Sequence, residues 1–224
     1  MAQLLNPVVH RVETMESQRL THADFMRLAP EDQKAELIEC EMIVMPPPFF
    51  VHERLQVFLV SILSLFAGRF RLGVGQVLGS RTAVFISETD TYEPDILFVA
   101  KAREHTLAPG AGRVRVISER KLLEAPDLVV EILSASTARH DRGPKLAGYS
   151  AAGVRELWLI DPYGPAGTQF FQRQSDSLVE VAPLEGVLRS VALPSFDLRV
   201  AWLWPDENGA LPNPVNVLRD LGVV

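Results

Sequence analysis

The stretch PDLVVEILSASTARHDRGPKLAGYSAAGVRELWLID, Pro126–Asp161, decides the fold, because its periodicity changes twice. Asp127–Leu133 is a dense run of Leu, Val and Ile, the pattern of a strand covered on both faces. One carboxylate, Glu131, interrupts it, and a charge in so apolar a strand costs several kcal/mol unless something pairs with it or binds it. Ser134–Thr137 carry hydroxyls able to cap a following helix. From Arg139 to Ala152 the pattern is helical, and Gly153 stands where a C-terminal glycine belongs. Val154–Asp161 is a second apolar strand, halted by Pro162 and Gly164. Strand, helix, strand in that order predicts two parallel neighbours joined by a right-handed crossover. Asp141, Lys145 and Tyr149 recur every four residues and share one helix face, which brings a lysine close to the strand carboxylate.

A second strand carries a second acid. Pro94-Asp95-Ile96-Leu97-Phe98-Val99 is apolar except for Asp95, and its early proline falls where no ladder donor is needed. Asp95 alone could cap a turn. Paired with Glu131 it makes a sharper case, since two such carboxylates on adjacent strands repel unless a cation lies between them. Mg²⁺ typically takes one or two protein carboxylates and completes its shell with water and phosphate oxygens, an arrangement suited to phosphodiester hydrolysis.

Outward from this centre, residues 1–20 read as a loose arm, 21–204 as one domain and 205–224 as a C-terminal tail. Thr21 with Asp24 forms a capping box for a short helix. Ala35–Met45 is a strand pair turning near Glu39–Cys40, and Pro46–Pro48 a stiff extended break. Phe50–Phe66 is the first long helix, with His52 in its opening turn. Gly73–Ser87 reads as two strands joined at Gly79–Ser80. Thr168–Gln172, Ser177–Val181 and Val187–Leu193 read as antiparallel additions to the sheet edge. PDENGALPNP beyond Trp204 has the composition of a linker, and the apolar tip Val215–Val224 that follows is either a free tail or a docking segment.

Cys40 is the single cysteine, which excludes an internal disulfide and a cysteine zinc site and suits a reducing cytoplasm. The apolar stretch around Val57–Ala67 is too short to span a bilayer, so no membrane is expected. A net charge of −6 is awkward for binding phosphates, and the distribution matters more than the sum. Lys101–Lys121 holds six basic residues against Glu104 and Glu119. It is either a solvated loop or a phosphate-contacting one through Arg113, Arg115, Arg120 and Lys121, with Arg142 added from the helix.

The segments EPDILFV (Glu93–Val99), PDLVVEILSAST (Pro126–Thr137), DRGPKLAGYSAAGV (Asp141–Val154) and ELWLIDP (Glu156–Pro162) closely resemble the Uma-type restriction endonucleases of the PD-(D/E)xK nuclease superfamily. The resemblance covers roughly Thr21 to Trp204. It implies an α/β fold with a restriction-endonuclease-like core, a mixed β-sheet flanked by helices with antiparallel edge strands added. It also implies a Mg²⁺-dependent endonuclease, with Mn²⁺ as an alternative ion, that hydrolyses DNA. Asp95 and Glu131 match the metal-binding carboxylates. The superfamily lysine two residues after the glutamate is here Leu133, and Lys145 sits where a lysine moved to the following helix is expected. Its roles would be to orient or deprotonate the attacking water and to stabilise developing charge; a plain ion pair with Asp141 or Glu131 is the alternative. His52 is either a helix-start residue or faces the metal site, and Glu36 matches a recurrent family acid. Two further functions stay open, an inactive nuclease fold serving as a binding module and a nuclease acting on RNA. A homodimer would supply one site per strand.

Overall fold

The computed structural model describes residues 19–68, 75–100, 107–109, 114–116 and 125–224. Helix α1 (His22–Leu28) opens on the expected capping box: Asp24 N donates to Thr21 Oγ1 and Thr21 N to Asp24 Oδ2. Strands β1 (Ala35–Ile38) and β2 (Glu41–Val44) form a hairpin whose turn residues Glu39 and Cys40 have φ of 51° and 72°. A cysteine there accepts a left-handed conformation that glycine would adopt freely. Helix α2 (Phe50–Gly68) precedes β3 (Gly75–Gly79), β4 (Ala83–Ser87), β5 (Asp90–Tyr92) and β6 (Ile96–Ala100). Short strands β7 (Leu107–Pro109) and β8 (Val114–Val116) lead to β9 (Leu128–Ile132). Then come α3 (Ala138–His140), a wide π-type turn over Asp141–Lys145, α4 (Leu146–Ala152) and β10 (Glu156–Ile160). Strands β11 (Gln169–Gln174), β12 (Ser177–Val181), β13 (Val187–Arg189) and β14 (Asp197–Arg199) precede α5 (Pro214–Asp220).

The central sheet has the order β12-β11-β10-β9-β6-β3. β9 and β10 are parallel and joined through the helical segment, while β6 runs antiparallel to β9 and β11–β12 form the antiparallel edge. This is the mixed α/β architecture the sequence implies. Two features differ from the expectation of one sheet with three added strands. A second six-stranded sheet, β2-β1-β5-β4-β8-β7, stands apart from the first, and the turn at Ser80–Arg81, with Arg81 at φ 78°, carries the chain from one to the other. The Val187–Leu193 segment also misses the edge, since β13 pairs with β14 in a separate hairpin. Its position follows from Glu156, whose buried carboxylate accepts from Ser190 Oγ at 2.6 Å and from the amides of Val191 and Ala192 at 2.9 Å.

One face of α2 supplies Leu55, Phe58, Leu59, Ile62, Leu63 and Phe66 to a core shared with β6, β9 and β10. Phe196 packs edge-on against Phe66 and stacks on Trp158, with centroids 5.0 and 6.2 Å apart. The helix has 19 residues, longer than the apolar stretch read in the sequence and long enough by itself for a bilayer, but this face is used in packing. Beyond Trp204, read in sequence as linker and tail, α5 docks on α2 and buries Val217 and Leu218 in the same core. The arm at 1–18 and most of the basic run at 101–121 lie outside the described residues.

Candidate active site

The two strand acids meet across the β6–β9 ladder. Ile96 pairs with Val130, so the next antiparallel step sets Asp95 opposite Glu131. Both are almost fully buried, yet both line a cleft of about 730 Å³. Asp95 is held on every side. Its Oδ1 accepts from Lys34 Nζ at 2.7 Å, and its Oδ2 accepts from Ile132 N at 2.8 Å and from His52 Nε2 at 3.1 Å. Gln56 Nε2 fixes the Asp95 carbonyl at 2.9 Å. Burial alone would push the Asp95 carboxyl up, but the Lys34 ammonium, followed by His52, holds it well below the usual carboxylate range. It is ionised throughout the physiological range.

Glu131 has different company. Its Oε1 accepts from Tyr149 Oη at 2.6 Å and lies 2.8 Å from Lys145 Nζ. The same ammonium reaches Glu36 Oε1 at 2.8 Å and Asp141 Oδ1 at 3.0 Å. Three carboxylates thus share one ammonium that is 2 % exposed. Burial, and then Asp141, Glu36 and Asp95, raise the Glu131 carboxyl against the pull of Lys145, up to about 8. Lys145 itself is held in its charged form, its burial outweighed by Asp141, Glu131 and Glu36. Glu36 is fixed in turn by the Glu93 amide, which donates to its Oε1 at 2.9 Å.

Lys145 reaches this position because the helix around it is not regular. Gly143 (φ −112°, ψ −106°) and Pro144 break the α pattern inside Asp141–Lys145, and α4 resumes at Leu146. Tyr92, on β5 of the second sheet, sets the depth of α4. Its ring lies 5.1 Å from Tyr149 and 5.8 Å from the Lys145 ammonium. A Cβ on Gly148 would stand 2.4 Å from Tyr92 Oη and 2.9 Å from its Cε2. Gly148→Ala should therefore lower the melting temperature, because overpacking by about 1–3 kcal/mol exceeds the roughly 1 kcal/mol that alanine gains in helix propensity. A thermal melt that rises on this substitution would refute the contact.

The Glu131 environment also fixes a pH dependence. A carboxyl raised above its ordinary value of 4.5 contributes stability that is complete below that value and lost as pH climbs toward about 8. Glu131→Gln removes this titration. Melting temperatures measured from about pH 5 to 8 should therefore fall less steeply in the variant than in the wild type; parallel curves would show that Glu131 is not so perturbed.

The Uma2 family model, described as "Putative restriction endonuclease", matches residues 22–201. The chain belongs to this family. A crystal structure described as a putative nuclease from Anabaena variabilis resembles the chain with a TM-score of 0.61 at 20% identity, covering 82% of this chain and 99% of that one. At that identity the likeness is one of fold. No curated protein matches the chain.

Members of the Uma2 family fall among restriction-endonuclease-like nucleases, which generally use divalent metals, and the donor set here fits such an ion. Asp95 and Glu131 offer only hard oxygens, and the acids around Glu131 outnumber the ammonium they share. Among the described residues no group of three or more His, Cys, Asp or Glu forms an ion cage. Two carboxylates with water and phosphate completing the shell suit a hard divalent ion. Lys34, whose side chain is 23 % exposed, supplies positive charge at Asp95.

Asp95, Glu131, Lys145, His52 and Glu36, all expected from the sequence, line this one cleft. Arg142 lies elsewhere: its guanidinium is tied to Gly167 O at 2.7 Å and Gln169 Oε1 at 3.3 Å, and it does not line the cleft. Arg113, Arg120 and Lys121 fall outside the described residues, and only the backbone of Arg115, in β8, falls within them. Lys34, Gln56 and Arg81 line the cleft and were not anticipated. Lys34 precedes β1 with no period to mark it. Tyr149 was visible only as the third member of the Asp141–Lys145 face.

Proposed function

We propose that the chain is a Mg²⁺-dependent endonuclease that hydrolyses DNA phosphodiester bonds, with Mn²⁺ able to replace Mg²⁺. The observation that carries this reading is Lys145 Nζ at 2.8 Å from Glu131 Oε1, beside Asp95 in the same cleft. A lysine from the helix thus stands beside the acid whose own strand has Leu133 in the consensus lysine position. Asp95 and Glu131 would hold the cation. That cation would supply Lewis acidity at the scissile phosphate and a more acidic bound water. Lys145 would orient the nucleophilic water and balance charge developing on the phosphoryl oxygens. Glu36 and Asp141 keep its ammonium charged and in place, so it acts as a fixed cation. Tyr149 fixes the orientation of Glu131, and His52 and Ile132 N that of Asp95. Lys34 and Arg81, at the cleft wall, are placed to receive phosphate oxygens.

The test is cleavage of supercoiled plasmid with Mg²⁺, with Mn²⁺ and with EDTA, beside an RNA of matched length. Nicked or linear plasmid in the metal lanes alone is the expected result. RNA cut in place of plasmid would transfer the activity to RNA, and no cleavage with either metal would leave a nuclease fold acting as a binding module.

A further inference from the structure

Two large aromatic rings stand in water at the walls of the same cleft. Phe49 is 71 % and Tyr163 74 % exposed, and both line it. They lie far apart in the sequence, yet each is presented by a stiff piece of chain. Phe49 follows Pro46-Pro47-Pro48, which also line the cleft. Tyr163 follows Pro162 in a turn closed by Asp161, whose Oδ1 accepts from Tyr163 N at 2.9 Å. Neighbouring Phe50 differs: it does not line the cleft, and the Arg54 guanidinium lies 6.0 Å from its ring centroid. Rings held in solvent at little conformational cost, beside a site for phosphate chemistry, are suited to stacking on flat π systems.

Charge and size say which flat systems. The chain carries −6 overall, and Asp32 and Glu53 line the cleft together with Lys34 and Arg81. Lys34, Arg81 and Lys145 supply the cleft's phosphate contacts against a larger number of acids, whereas stacking on bases adds affinity that does not depend on net charge. The cleft volume of about 730 Å³ lies in the range that encloses a small ligand, so the cleft itself accommodates bases one or two at a time. Base faces are buried within a duplex and free only where the strand is unpaired.

We propose that Phe49 and Tyr163 are stacking platforms for unpaired nucleobases, so that the strand entering this cleft is single-stranded DNA or a locally unpaired segment of it. This rests on the nuclease reading for the nature of the ligand and adds the state of the strand.

The test is fluorescence anisotropy of the full chain in EDTA with three labelled probes: a dT 12-mer, an rU 12-mer and a mixed-sequence 12-bp DNA duplex. The dT strand should bind at least tenfold more tightly than the duplex. Phe49→Ala and Tyr163→Ala should each weaken dT binding by about tenfold or more. Phe49→Trp and Tyr163→Phe, which keep a ring, should bind as the wild type does. Leu184→Ala, an exposed apolar residue away from the cleft, should change nothing. Duplex binding as tight as dT, no binding of either single strand, or alanine variants indistinguishable from wild type would overturn the inference. Binding of rU in preference to dT would overturn the assignment to DNA. If the alanine variants bind normally while the wild type cuts plasmid, stacking fails and the nuclease reading stands. If ring-dependent binding appears without cleavage in Mg²⁺ or Mn²⁺, the nuclease reading fails and the stacking site stands.

Discussion

Lys145→Ala is expected to lower cleavage per folded molecule by two or more orders of magnitude, the loss that follows removal of a preorganised charge from a reacting centre. It should also destabilise the fold by about 3–5 kcal/mol, because Glu36, Glu131 and Asp141 would remain buried without their shared ammonium. The two effects separate by pH. Without the lysine, the pull that lowers Glu131 is gone and its carboxyl rises further, and a raised carboxyl contributes stability at low pH that is lost as pH rises. The stability deficit should therefore shrink in mild acid, whereas the missing catalytic charge is not restored there. Lys145→Met, which fills more of the space, should recover part of the stability and none of the turnover. Near-normal cleavage by the folded fraction of either variant would make Lys145 a structural ion-pair centre only.

Asp95→Asn is expected to abolish the response to metal. In the wild type, Mg²⁺ or Mn²⁺ should raise the melting temperature, since an ion that binds only the folded chain stabilises it by mass action. The variant should show no such shift, and cleavage should fall by about three orders of magnitude, equivalent to the several kcal/mol a bound cation contributes. With its oxygen still accepting from Ile132 N, the asparagine would turn its NH₂ group toward the Lys34 ammonium, donor against donor. Equal melting shifts in both proteins would mean that the ions act elsewhere.

Much of this site was legible because its acids violate the pattern around them. Asp95 and Glu131 each interrupt an apolar strand, and the four-residue spacing of Asp141, Lys145 and Tyr149 survives the wide turn well enough to keep all three together. The same signal also marks Glu156, another buried acid, on β10. Its oxygens serve Trp158, Ser190 and two amides, and nothing in sequence separates such a structural acid from a reactive one. Lys34 was not legible because its importance lies in a contact across 61 positions, made by a side chain that precedes a strand without any period. The split into two sheets was hidden for a related reason. β3 and β4 are consecutive and similar in pattern, and only the partner each finds across the fold assigns its sheet. The docking of α5 was missed because a linker-like composition masked Val217 and Leu218.

A lysine carried by a helix and placed beside a strand acid changes how such a site can diverge. On a strand, the interval between glutamate and lysine is fixed by the pleat, and inserting one residue would turn the lysine to the opposite face. Here Ser134–Thr137 lie between the two groups, and the depth of the helix is set by Tyr92 against Gly148, not by the length of that loop. Insertions and deletions in the loop can accumulate while the ammonium stays beside Glu131. The strand position two residues after Glu131 is Leu133, a buried packing residue. Distant relatives of this chain are then better traced by a small residue facing a tyrosine, one turn along from a buried lysine, than by any constant spacing from the acid.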